Sequence, residues 1–171
     1  YKPTNESYKT GTELIEKLIE IRAKGGNFLM NVGPKPNGEI PIEQEERLRE
    51  IALWMYVNSE GIRNVRPVPT IIKDGDMWFT KGKDDNTAYV FITGQKDWFK
   101  GFRRNFMLKN MKATKNTSVS VLGQNDLVVE YWPENTPTSH FVQHKDLLEI
   151  SISRAQRLLS LIHISEPTRR S

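Results

Sequence analysis

The chain has 171 residues, which is enough to bury a core and to hold one domain or parts of two. Its formal net charge is +4 and 27% of its residues are charged, with both signs mixed, so charge selects no class of partner. The absence of cysteine excludes a disulfide scaffold and a thiolate metal site. No apolar run approaches the roughly 18 residues of a membrane span, and no membrane partner is expected.

The first predicted element is a helix over residues 11–24. Thr10 and Glu13 have the spacing of a capping box, in which a hydroxyl and a carboxylate satisfy two free amides at the helix start. Leucine and isoleucine then recur at helical spacing. Gly25 follows the last turn, where a left-handed residue costs glycine little.

A short apolar strand is predicted over residues 27–32. Its run Phe28-Leu29-Met30 is typical of a strand covered on both faces, as in a parallel sheet. Gly33 and Pro34 end it, because proline has no amide hydrogen to donate to a neighbouring strand. Loops that leave the carboxyl ends of parallel strands contain the functional groups of such folds. We therefore expect a pocket first at residues 31–38.

A second helix is predicted to begin at Pro41 and to run to about Asn58. Proline is favoured in a first turn, and three glutamates near the start complement the positive end of the helix dipole. The predicted buried stripe consists of four residues with a tryptophan at its edge: Leu48, Ile51, Ala52, Met55 and Trp54.

The pattern of residue types changes after Val65. Residues 66–69 read as a linker, and we place a domain boundary at about residues 65–69. Short β-rich runs then alternate with Gly, Asn and Asp clusters, which predicts a small antiparallel sandwich. The predicted strands are residues 70–72, 77–80, 88–93, 106–108, 118–122, 127–131 and 147–152.

Residues 25–41 read GGNFLMNVGPKPNGEIP. Their order and spacing resemble the end of the catalytic domain of α-L-fucosidases of glycoside hydrolase family 29. Tyr1 is similar to the last residue of that family's aromatic-Gly-Tyr motif, and the β-rich runs are similar to its carboxyl-terminal sandwich. The resemblance covers about residues 1–158. It departs at Ser59 and Arg63, where the family usually has glycine and tyrosine.

The resemblance implies a fold class of α/β plus all-β. Residues 1–65 would be the terminal helix–strand–helix piece of a (β/α) barrel, and residues 66–158 a truncated antiparallel β-sandwich. A complete barrel needs about 250 residues, so the chain is expected to be a carboxyl-terminal fragment.

The activity implied by the resemblance is retaining hydrolysis of terminal α-L-fucose from glycoconjugates, with a fucosylated glycan as substrate. Retaining glycosidases use two carboxyl groups about 5–5.5 Å apart, one as nucleophile and one as acid and then base. In the family both precede the motif of Tyr1, so the chain alone is expected to be inactive. No cofactor or metal is expected, and a secreted, periplasmic or lysosomal-type location fits the family.

Asn31 and Tyr1 are the candidate pocket residues. Asn31 ends a buried strand on the side that faces the pocket of a barrel, where it either lines the sugar site or fixes the following loop. Tyr1 either borders the pocket or packs in its wall. Four carboxylates also lie near this loop, but the helix dipole explains them without chemistry: Glu39, Glu43, Glu45 and Glu46.

Three other patterns in the sequence allow a different function. Trp78, Trp98 and Trp132 are the basis of the alternative function, a carbohydrate-binding module without catalysis, although tryptophan in strands is more often core. His140 and His144 have the spacing of a helical zinc pair, but Pro137 argues against a helix. Residues 96–115 interleave basic and aromatic side chains, as in some nucleic-acid grooves, but also as in an ordinary hairpin, and no nucleic-acid partner is expected.

The tail breaks the pattern. Residues 159–169 read LSLIHISEPTR, which resembles the translation of a transposase-type sequencing-library adaptor. Our hypothesis is that residues 159–171 are not native and that the true last strand is missing. Resequencing with trimmed reads should give a different continuation after Leu158, whereas an adaptor-free clone with the same codons would refute this hypothesis.

Overall fold

The structure is a computed structural model of the chain. It describes six ranges of residues: 8–84, 86–95, 97–99, 101–124, 138–153 and, for the backbone, 161–165. Tyr1, Trp132 and the predicted strand at 127–131 lie outside the described residues.

Two helices form the first part of the described chain. Helix α1 spans Gly11–Ala23, and Thr10 and Glu13 form the predicted capping box at its start. Gly25 follows with a φ of +82°, as predicted for the residue after the helix. Helix α2 spans Ile42–Asn58 with Pro41 as its N-cap, and a short 3₁₀ turn at Ser59–Gly61 ends it.

Antiparallel strands make up the rest. They are β1 (Val65–Pro67), β2 (Lys73–Asp74), β3 (Met77–Gly82), β4 (Thr87–Ile92), β5 (Arg103–Lys109), β6 (Ser118–Leu122), β7 (His140–Gln143), β8 (Leu147–Ser153) and β9 (Leu161–Ser165). Within the described residues, one sheet has the order β1-β3-β4-β9-β6, with β2 also paired to β3. A second sheet has the order β5-β8-β7.

The larger sheet is buried on both faces because its side chains alternate between two cores. Trp78, Tyr89 and Phe91 pack with α1 and α2 in the first core. Phe79 and Val90, their neighbours in β3 and β4, pack with the smaller sheet in the second core. The molecule therefore has three layers: the two helices, the larger sheet and the smaller sheet.

The predicted strand at residues 27–32 differs in the structure. This segment has no strand assignment and pairs with none of the described strands. Leu29 is 85% exposed, whereas Phe28 packs against the helix core. A parallel strand exists only through hydrogen bonds to its neighbours, so an apolar run alone does not produce one.

Three further predictions need correction. Arg66 and Pro67 do not form a free linker, since they belong to β1 and pair with β3. In α2, Trp54 is buried rather than at the edge, and Ala52 is exposed. Residues 70–72, predicted as a strand, precede β2 instead.

Strand β9 falls within the predicted adaptor segment. Its backbone lies between β4 and β6 and pairs with both. No strand is predicted there from the sequence, and the run of leucine and isoleucine in this segment explains why one forms. That residues 159–171 are the translation of a sequencing adaptor stays a prediction. In the part of the chain that the structure describes, no helix is long and apolar enough to cross a membrane.

Candidate functional site

A pocket of about 220 Å³ lies where the entry to α1 meets the entry to α2. We call it the Asn31 pocket. Its lining includes three groups of residues, from the segment before α1, from the predicted strand and loop, and from the first two turns of α2: Tyr8, Lys9, Met30, Asn31, Gln44 and Arg47. Asn31 thus lines a pocket in the structure, whereas its contact with a sugar stays a prediction.

Asn31 is solvent-exposed in this pocket rather than buried. From its sequence position at the end of a covered strand, Asn31 is predicted to be hydrogen-bonded and to face the pocket. Within the described chain, no hydrogen bond involves its side-chain amide. An exposed amide is suited to hydrogen-bonding the hydroxyl groups of a sugar, because it can both donate and accept.

Gln44 forms hydrogen bonds to two segments that line the pocket. It was not among the residues predicted from the sequence. Its side-chain Oε1 accepts a hydrogen bond from the backbone N–H of Gly33 at 2.8 Å. Its Nε2 donates to the hydroxyl of Tyr8 at 3.4 Å. One sequence signal could have identified it, because Gln44 is a neutral amide among the carboxylates Glu43, Glu45 and Glu46.

The loop between Gly33 and α2 is closed by its own backbone. The N–H of Lys35 donates to the carbonyl of Glu39 at 2.7 Å, and that of Gly38 donates to the carbonyl of Lys35 at 2.9 Å. Gly38 has a φ of +87°, which a residue with a side chain adopts only with strain. This turn brings the chain back to Pro41 and sets the start of α2 beside the pocket.

The four carboxylates near this loop lie outside the pocket. Glu45 pairs with Arg49 at 2.6 Å, and Glu39 lies 3.8 Å from Lys35. Glu43 and Glu46 are exposed. Their positions match the interpretation that they complement the helix dipole rather than react with a substrate.

The rings of Trp78 and Trp98 are buried and are not available to stack on a carbohydrate. Trp78 is 9% exposed, and its ring has the ammonium groups of Lys73 and Lys24 at 4.7 Å and 5.6 Å from its centroid. Trp98 is buried against Phe106, and its indole N–H donates to the carbonyl of Phe102 at 2.7 Å. Both rings therefore belong to the packing of the fold.

The remaining patterns also have structural partners. His144 Nε2 lies 2.7 Å from Glu149, while His140 begins strand β7. Arg103 and Arg104 donate to backbone and side-chain oxygens of the same chain. Among the residues that the structure describes, no group of three or more His, Asp or Glu side chains could hold a metal ion.

A second, shallower cleft lies between the end of α2 and the β3–β4 hairpin, and Tyr89 is its most perturbed group. Burial raises the pKa of the Tyr89 hydroxyl well above its usual range, and the hydrogen bond to Glu60 at 2.9 Å raises it further. The phenol therefore stays protonated and serves as a donor that joins the hairpin to the 3₁₀ turn.

Comparison with known proteins shows what the chain resembles. The family model described as alpha-L-fucosidase matches residues 1–60. An alpha-L-fucosidase of Dictyostelium discoideum is 38% identical over 85 residues, covering 50% of this chain and 18% of that protein. A putative alpha-L-fucosidase of Caenorhabditis elegans is 30% identical over 148 residues, covering 74% of this chain and 29% of that protein.

Solved structures have the same fold. Alpha-L-fucosidase isoenzyme 1 from Paenibacillus thiaminolyticus superposes with a TM-score of 0.72 at 20% identity, covering 98% of this chain and 37% of that chain. The alpha-fucosidase of Thermotoga maritima superposes with a TM-score of 0.69 at 22% identity, covering 94% and 35%. The chain thus spans about a fifth to a third of the length of these relatives.

Proposed function

Because the chain belongs to the α-L-fucosidase family, we propose that it is the carboxyl-terminal part of a retaining exo-glycosidase that hydrolyses terminal α-L-fucose from glycoconjugates. The observation that most supports this proposal is the Asn31 pocket, which lies within the residues matched by the family model. Its substrate is a fucosylated glycan.

The fold supports the location of this pocket. In a (β/α) barrel, the loops after the strands lead into the helix starts at one end, and that end contains the active site. Here the segments that precede α1 and α2 meet in one pocket, as two neighbouring loops of a barrel do. We propose that residues 1–65 are the last helix, strand segment and helix of the catalytic barrel, and that residues 66–158 form the sandwich beside it.

Exposed apolar side chains support the same assignment. Leu29 is 85% exposed, Leu53 is 70% exposed and Tyr56 is 89% exposed. Leu53 and Tyr56 lie three residues apart on α2 and share a face of that helix. Large apolar side chains that share a helix face are suited to contact with another part of a protein. The remaining barrel strands and helices are the proposed cover.

In this proposal the chain binds the sugar but does not supply the reacting acids. Asn31 and Tyr1 contact the substrate, and the nucleophile and the acid/base come from the barrel upstream of Tyr1. Hydrolysis proceeds through a glycosyl-enzyme that forms at one carboxylate and is hydrolysed with the help of the other.

Cleavage of 4-nitrophenyl α-L-fucoside tests the proposal. The 171-residue chain alone should release no 4-nitrophenol, whereas a polypeptide that continues upstream into the complete barrel should release it. In that longer polypeptide, Asn31→Ala should reduce kcat/KM on the order of tenfold or more, since a substrate hydroxyl loses its partner. Activity of the chain alone, or an inactive longer polypeptide, would overturn the proposal.

A further inference from the structure

Residues 30–33 line the Asn31 pocket without the hydrogen bonds of a sheet to hold them. Within the described chain, no strand pairs with this segment. Phe28 anchors its beginning, because it packs against the core of the helices. In the proposed barrel, neighbouring strands would pair with the apolar run, but Gly33 and the loop after it lie beyond that pairing. Another contact must therefore fix this end if Asn31 is to have one orientation toward a ligand.

Gln44 provides that anchor. Its Oε1 accepts from the N–H of Gly33 at 2.8 Å, only two residues beyond Asn31. Its Nε2 reaches the hydroxyl of Tyr8 at 3.4 Å on the other wall of the pocket. One side chain in the first turn of α2 thus joins segments that lie 11 and 36 residues away in sequence.

We propose that Gln44 is a positioning residue of the sugar pocket, which holds the backbone of residues 31–33 so that the Asn31 amide meets the substrate. This inference rests on the proposed function. Gln44 acts through Asn31 and Gly33. Its bond to Tyr8 fixes the distance between the two walls of the pocket.

The chemistry of the amide explains why glutamine suits this place. The amide oxygen accepts from Gly33 while the amide nitrogen donates to Tyr8. A glutamate at this position retains the acceptor for Gly33, and the Tyr8 hydroxyl can rotate and donate to it. A leucine has similar size but neither atom, so it leaves the Gly33 N–H without its partner. The pair of substitutions separates the hydrogen bonds from the packing.

The experiment uses the longer polypeptide that contains this chain and its upstream barrel, with 4-nitrophenyl α-L-fucoside as substrate. Gln44→Leu should lower kcat/KM on the order of tenfold to a hundredfold, because small misplacements of a substrate-contacting group have effects of that size. Gln44→Glu should retain most of the wild-type kcat/KM. Glu43→Leu, an exposed change in the same turn and outside the pocket, is the matched control and should behave as wild type.

A second readout follows the hydrogen bond itself. In the ¹⁵N-labelled protein, the Gly33 amide should exchange with solvent faster in Gln44→Leu than in wild type or Gln44→Glu. Thermal unfolding of the three variants distinguishes a local change from a global loss of structure.

The outcomes separate the two proposals. If wild type cleaves the fucoside and Gln44→Leu equals Glu43→Leu in kcat/KM, the positioning role is refuted while the proposed function stands. If wild type does not cleave the fucoside, the proposed function fails and this inference fails with it. If Gln44→Glu is as impaired as Gln44→Leu, the hydrogen bond to Gly33 is not what positions the loop.

Discussion

Arg22 joins the helical layer to the larger sheet. Its Nε donates to the carbonyl of Ile62 at 3.1 Å, and its two terminal nitrogens donate to the carbonyls of Gly26 and Val65 at 3.0 Å each. These carbonyls belong to the segment after α1 and to the chain that enters β1. A guanidinium can satisfy all three because its donors diverge in one plane. A lysine ammonium at the same place cannot reach them together.

We therefore expect Arg22→Lys to lower the free energy of unfolding by about 2–4 kcal/mol, from lost hydrogen bonds to partly buried carbonyls. Arg49→Lys on the exposed face of α2 is the control and should change it by less than about 0.5 kcal/mol. Urea unfolding followed by tryptophan fluorescence measures both. Equal effects of the two substitutions would show that the three carbonyls do not depend on the guanidinium.

At the scale of elements, α1 was predictable because its signals are local. Thr10 and Glu13 begin it, and Gly25 follows it with the positive φ that its position requires. In α2 the ends were also predictable, but the buried face was not. Trp54 is buried because it packs against Phe91 of β4, with ring centroids 6.2 Å apart. That partner is distant in sequence, so helical periodicity alone could not choose the face.

Helix α1 also has a charge cluster that makes its stability depend on pH. Glu20 pairs with Lys17 at 2.7 Å and with Lys24 at 2.6 Å, and these lysines lower its pKa from 4.5 to about 2. A lowered pKa in the folded state means that the ionised form stabilises the fold. That contribution is present above about pH 4.5 and is lost as the pH falls toward 2.

The Glu20→Gln variant should therefore be less stable than wild type at pH 6, and this difference should disappear near pH 2. Thermal unfolding followed by circular dichroism between pH 2 and pH 7 measures it at low ionic strength. Added salt should reduce the difference at pH 6, since it screens the pairs. A difference that is the same at both pH values would contradict the assignment to the ionised carboxylate.

At the scale of the whole molecule, the sequence predicted β-rich runs but not how they share two cores. The alternation of Trp78 with Phe79, and of Tyr89 with Val90, places the larger sheet between helices and a second sheet. Two features depend on distant partners and were missed for that reason. The segment at 27–32 forms no strand, and β9 pairs between β4 and β6. That Asn31 lines a pocket was predictable from its place after the apolar run, but its contact with a sugar stays a prediction. Gln44 became recognisable only through its contacts.

The exposed apolar side chains lead to a prediction about the isolated chain. Leu29, Leu53 and Tyr56 present large apolar groups to water, and in the proposed enzyme the rest of the barrel covers them. Alone, the chain should bind a hydrophobic dye and self-associate, because association removes this surface from water. Replacing the three residues by serine should reduce both effects, as measured by dye fluorescence and sedimentation velocity.

The matched control is Phe99→Ser with Phe102→Ser. It removes another exposed pair, 67% and 65% exposed, from a different part of the molecule. If the unsubstituted chain is monomeric, unfolds in one sharp thermal transition and binds no dye, these side chains do not require another part of the protein to cover them. Their exposure would then no longer support the barrel assignment.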